Sequence, residues 1–205
     1  MGFDISNVKP ILELGSLILG IVNGIILAYI FVRDRAKLSA SFIHPEIYNW
    51  FFELPSRKYE KKKTNVFGFF AYLAIVNKGL RAVSLTSWEL EIELNNGKRE
   101  KLHPISIPQP QIKLGDGSQK LFPVLGVGED GLYVKSGDNV NGFAYYELET
   151  FGETYLPKII NGKIKVKLIC EDAFGKKSET TGLMIRKKVE DAEKMVPNIS
   201  KLTRI

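Results

Sequence analysis

Residues 14–32 read LGSLILGIVNGIILAYIFV, 19 positions without a charged side chain, and this run constrains the chain more than any other. Taken back to Ile11 it holds 22 residues, which at 1.5 Å per residue make a helix of roughly 33 Å, enough to cross a bilayer. Its polar members, Ser16, Asn23 and Tyr29, do not gather into the polar face that a helix of a soluble domain needs. The run therefore predicts one transmembrane helix over residues 11–32, behind a short tail over 1–10. A cleaved secretory signal would want a basic start and a shorter apolar core, whereas this chain opens with Asp4 and a single Lys9.

Charge sets the expected orientation. Asp4, Lys9 and Glu13 precede or enter the run, while Arg33, Arg35 and Lys37 follow it closely, and Arg57, Lys58, Lys61, Lys62 and Lys63 come a little later. Positive flanks stay on the cytoplasmic side, so residues after Val32 are expected in the cytosol, on a single pass through a cell inner membrane. Residues 33–63 hold 8 basic and 4 acidic side chains and read as a basic juxtamembrane segment. Its basic residues named above are candidates for anionic lipid headgroups, each worth about 1 kcal/mol near the surface. A solvated charged loop competes with that reading. Nucleic acid is disfavoured, because the basic run has one aromatic and no recognisable binding motif.

Within the helix, Ser16, Gly20, Gly24 and Ala28 recur every four residues with Asn23 beside them. Small residues at that spacing let two helix backbones approach, and Asn can hydrogen-bond across the pair. The stripe is a candidate contact for a second copy or another membrane protein, although Gly and Ala are common in membrane helices generally.

Beyond residue 64 the hydrophobic period becomes two, the period of half-buried strands. Phe67, Phe69, Ala71, Leu73 and Ile75 share a face, and Trp88, Leu90, Ile92 and Leu94 share another, with Glu89, Glu91 and Glu93 outward. Val83 and Leu85 are out of phase with Trp88, which predicts a bulge or a break between them. Asn96-Gly97 signals a hairpin with a type I′ turn, and Ile164, Val166, Leu168 and Cys170 alternate with lysines. Short strands joined by turns, without strand–helix alternation, predict an all-β fold: an antiparallel immunoglobulin-like sandwich over 64–188, preceded by the membrane helix and followed by a tail or short helix over 189–205. A small barrel is the second choice. Trp88 and Cys170 are the expected structural core. Residues 104–134, a long insertion with apolar Ile105, Ile107, Leu121, Phe122 and Leu125, either cover part of a sheet or meet a partner.

The stretch Ile75-Val76-Asn77-Lys78-Gly79-Leu80-Arg81-Ala82-Val83-Ser84-Leu85, with Asp172, Gly175 and Lys176 in the last hairpin, resembles bacterial membrane-anchored immunoglobulin-like β-sandwich proteins of unassigned function. Ala82 stands where their Pro would be. The resemblance spans residues 64–185 and implies the sandwich and the anchor. It brings no functional residues with it.

Chemistry is sparse. Two His, at 44 and 103, each precede a Pro, and the one Cys sits in an apolar alternation. No nucleophile–base pair, metal-ligand spacing or phosphate loop is present, so neither catalysis nor a cofactor is expected. The reading is a non-catalytic anchored scaffold or recruitment module that binds a protein partner. Its competitor is an extracytoplasmic domain that binds glycan or peptide.

Overall fold

The computed structural model describes residues 9–33, 35, 37–59, 62–113, 117–125 and 132–201. Helix α1 (Lys9–Arg33) contains the apolar span Glu13–Val32, none of which is buried against the rest of the protein. The helix therefore begins at Lys9, inside the expected 1–10 tail.

In chain order the remainder forms β1 (Leu38–Phe42), the single-turn α2 (Pro45–Tyr48), β2 (Trp50–Leu54), the two-residue β3 (Lys58–Tyr59) and β4 (Lys62–Lys63), and the long β5 (Asn65–Asn77). After these come β6 (Val83–Glu93), β7 (Arg99–Leu102), β8 (Pro104–Ile105), β9 (Gln111–Lys113), β10 (Gln119–Leu121), β11 (Leu132–Val134) and β12 (Asn139–Thr150). The chain closes with β13 (Lys163–Asp172), β14 (Lys177–Arg186), α3 (Val189–Met195) and a 3-10 turn at Ile199–Lys201.

Among the described residues, ten strands form one mixed sheet that rolls nearly into a barrel. β1 and β2 lie end to end along one edge of β5, and β12 pairs the other edge from Asn139↔Val76 to Thr150↔Asn65. β6 carries β13 on one side and β7 and β11 on the other, and β13 pairs β14. The sheet is not wholly antiparallel as expected: Ile185↔Trp50 and Arg186↔Phe51 pair β14 with β2 in parallel, joining the two halves.

The inner core fills the space between those halves. Phe67, Phe69, Ala71, Leu73 and Ile75 from β5 meet Leu85, Trp88, Leu90, Ile92, Leu168 and Cys170 from β6 and β13, all buried. Trp88 and Cys170 face each other as a cross-strand pair. The slip in hydrophobic phase resolves into a bulge within one strand: Glu171 pairs Ser87 and Asp172 pairs Leu85, so Thr86 is the extra residue. An added residue shifts the side-chain phase by one, which is what the sequence displays.

Two expectations are corrected. The domain does not start at residue 64, because Leu38–Phe42 and Trp50–Leu54 pair with β5; the Trp-Phe-Phe run is apolar on both faces and so has no period to read. The Asn96-Gly97 hairpin forms, but only Gly97 has positive φ (78°), and its N–H donates to the Leu94 carbonyl. That is a type I turn followed by a left-handed glycine rather than type I′. Of the two alternatives for the C-terminal stretch, a tail or a short helix, the helix forms as α3, and Ala192, Met195, Val196 and Ile199 join Phe52, Phe70, Phe143, Tyr145, Ile107 and Phe122 in a second core. The insertion and the C-terminal helix thus cover the outer face of β2, β5 and β12, which explains why those strands are buried on both faces. Gly142 permits the cover, since a Cβ there would stand 2.7 Å from the Leu125 amide nitrogen.

Candidate functional site

β5 separates two ends of the domain. Lys37 closes onto its last residue, donating its N–H to Asn77 Oδ1 at 3.3 Å and accepting from the Lys78 N–H at 2.8 Å. α1 therefore meets the domain at the Asn77 end. Leu54 pairs with Val66 at the other end, and the 13-residue strand between them spans about 40 Å at ~3.3 Å per residue.

At the far end, β12 places Tyr145, Glu147 and Glu149 on one face by their spacing of two. Arg57 reaches both carboxylates, with Nη2 3.0 Å from Glu147 Oε2 and Nη1 3.2 Å from Glu149 Oε2. The Tyr145 hydroxyl donates to Glu147 Oε1 at 2.9 Å, and the Thr64 hydroxyl donates to Glu149 Oε1 at 2.7 Å. Glu147 is 1% exposed. Burial pulls the Arg57 guanidinium down, but the charges and hydrogen bonds of Glu147 and Glu149 outweigh it and leave its pKa above the ordinary value. Thr64 also returns its N–H to the Arg57 carbonyl at 2.9 Å, which closes the loop carrying β3 and β4. The cluster is a clamp: it fixes a hairpin whose Lys58, Lys62 and Lys63 are exposed.

The basic juxtamembrane residues accordingly fall into two groups. Arg35 and Lys37 lie beside the span, while Lys58, Lys62 and Lys63 lie at the far end of β5 and Arg57 is committed to carboxylates. The fold thus does not keep them together as one segment. Lys61 and the Arg33 side chain lie outside the described residues. The clamp was not foreseen: only the Glu-x-Glu spacing of β12 was visible, and its partner is 90 positions away.

Ser16, Gly20, Asn23, Gly24 and Ala28 are all exposed along α1. The Ser16 hydroxyl is turned back onto the Glu13 carbonyl at 2.8 Å, and a Cβ on Gly20 or Gly24 would meet nothing. Cys170 is fully buried, and burial pushes its thiol up to about 12. His103 is exposed, with Nδ1 3.6 Å from Glu89 Oε1, and His44 packs edge-on against Tyr48. The outward glutamates of β6 pair chiefly with Arg99, Lys101 and Lys158, and Lys167 pairs with Glu179. Among the described residues, no three His, Cys, Asp or Glu are grouped to hold a metal.

No family model matches the chain, and no curated protein does. Among solved structures, it is similar to a protein of Bordetella pertussis described as ApaA, at 13% identity over 75% of this chain and 96% of that one, with a TM-score of 0.35. A structural-genomics target designated SoR45 is 12% identical over 83% and 92% of the two chains, with a TM-score of 0.29.

Proposed function

We propose that the chain is a single-pass, membrane-anchored, non-catalytic module that recruits or scaffolds a protein partner, with its β domain on the cytoplasmic side of a cell inner membrane. The polarity of the molecule carries this reading. An apolar helix that nothing in the protein covers leaves one end of the domain, and a clamped basic hairpin stands at the other. A basic strand pair held about 40 Å from the anchor suits an acidic protein surface, because complementary charge steers association and fixes register. Two half-sheets sharing one inner core, with Trp88 against Cys170, support an immunoglobulin-like sandwich that is closed on one side by the parallel β14–β2 pairing.

A photo-crosslinker placed at Lys58 or Lys62 in living cells tests the reading. It is expected to capture a protein, and reversing the other two of Lys58, Lys62 and Lys63 to Glu is expected to abolish the adduct. An unchanged adduct after reversal refutes the basic tip as the recruiting surface. A cytosol-active reporter fused after Ile205 should be active. Activity only of an extracytoplasmic reporter would instead favour the glycan- or peptide-binding reading. For the stripe on α1, Gly20→Ile with Gly24→Ile is expected to abolish helix-mediated crosslinks while preserving insertion.

A further inference from the structure

The turn after β13 is built to hold an aromatic side chain in the open. The Asp172 carboxylate accepts the N–H groups of Phe174 and Lys176, both at 2.9 Å, and Gly175 turns the chain with φ 76°. Phe174 at the tip is 82% exposed, more than any other large apolar side chain among the described residues, the span included. Polar and small residues are the usual choice for such a tip. A scattered exposed hydrophobe needs no explanation, but this one is not scattered.

Phe174 lines a cavity of about 390 Å3 together with Phe31 and Arg35 of the anchor region and Arg81, Ala82 and Lys176 of the domain. Phe31 belongs to the apolar span, and the Arg35 guanidinium lies over its ring, 4.8 Å from the centroid. The cavity therefore lies at the end of the apolar span, and Phe174 stands beside it. Leu80, 48% exposed, projects from the neighbouring β5–β6 loop between Lys78 and Arg81. Apolar tips ringed by Lys and Arg have the composition of elements that lie in an anionic interface.

We infer that the Phe174 and Leu80 turns are membrane-inserting tips, which dock the β domain onto the anionic leaflet beside its own anchor. Arg35, Lys78, Arg81 and Lys176 meet the headgroups. The domain is thereby held upright, with the basic hairpin at Lys58–Lys63 pointing away from the bilayer. The inference rests on the anchor reading above, and it replaces the distal lysines with a different set of lipid-facing residues.

The test uses the full chain reconstituted into phosphatidylcholine vesicles with and without phosphatidylglycerol. Separate Phe174→Cys, Lys62→Cys and Leu19→Cys variants carry an environment-sensitive thiol dye, Cys170 being buried. In phosphatidylglycerol vesicles, nitroxide lipids labelled near the headgroup are expected to quench the dye at 174 about twofold or more, as for a group lying about 5–10 Å into the interface. The dye at 62 should be unaffected. Adding Arg81→Glu and Lys176→Glu, or omitting phosphatidylglycerol, should weaken quenching at 174. If the dye at 174 is quenched no more than that at 62 while a deep nitroxide quenches the dye at 19, the tips do not dock and the anchor stands. If the dye at 19 also escapes the deep nitroxide, the anchor reading fails and takes the inference with it.

Discussion

Arg57→Ala and Glu147→Ala form a double-mutant cycle whose outcome depends on burial. Glu147 is 1% exposed and accepts from both Arg57 and the buried Tyr145 hydroxyl, at 3.0 and 2.9 Å. Hydrogen bonds to charged groups contribute about 1.5–3 kcal/mol each, and breaking a buried pair by removing one partner costs roughly 3–5 kcal/mol. Arg57 is 22% exposed and keeps Glu149 at 3.2 Å, so Glu147→Ala is expected near the lower bound, about 3 kcal/mol. The coupling energy between the two positions should be about 1.5 kcal/mol or more. Arg186 and Glu53 supply the control, since they make an ion pair while 54% and 53% exposed. Exposed pairs couple by about 0–1 kcal/mol. Urea unfolding of the detergent-solubilised full chain, followed through Trp50 and Trp88, measures both cycles. Equal coupling in the two pairs would refute the clamp, because the hairpin would then be held no more firmly than a surface side chain.

Gly142→Ala should cost roughly 2–4 kcal/mol in the same assay. Its Cβ would press on the Leu125 backbone at 2.7 Å, where the Leu125 N–H bonds the Phe143 carbonyl, and the cover over the outer core would lift. Gly24→Ala meets nothing and should leave unfolding unchanged. Alkylation of Cys170 at pH 8 should run about a thousandfold slower in native than in unfolded protein. A thiol pushed up to about 12 carries far less thiolate than one near 9, and native reactivity close to the unfolded rate would place Cys170 outside the core.

What the sequence made legible was local and periodic. The span is a run, the inner faces of β5, β6 and β13 are alternations, and the bulge at Thr86 is an alternation that slips. Trp88 and Cys170 could be placed in the core because each sits in phase with aliphatic neighbours. The short strand Trp50–Leu54 stayed hidden. Trp50–Leu54 is sandwiched between two cores, so period two vanishes and nothing separates it from the charged stretch around it. The clamp was hidden for a different reason: an Arg and a Glu 90 positions apart leave no mark on either neighbourhood, and their pairing follows only from the register that brings β12 across β5.

Net charge was the feature whose meaning changed most between sequence and fold. Arg35, Lys37, Lys58, Lys62 and Lys63 are close in sequence and were counted as one basic segment, but β1, α2 and β2 carry the chain along β5 between them. About 40 Å of strand thus divides the group. The fold also brings Lys78, Arg81 and Lys176 close to the residues that follow the span. The orientation bias counts Lys and Arg within about 15–20 residues of a span, which after Val32 are Arg33, Arg35 and Lys37. Folding, rather than chain position, determines which lysines and arginines are proximal once the domain has formed, and the residues it places there surround the two exposed apolar tips. Lys58, Lys62 and Lys63 lie at the opposite end of β5 from these residues, and on the proposed reading that separation favours a protein surface over lipid as their partner.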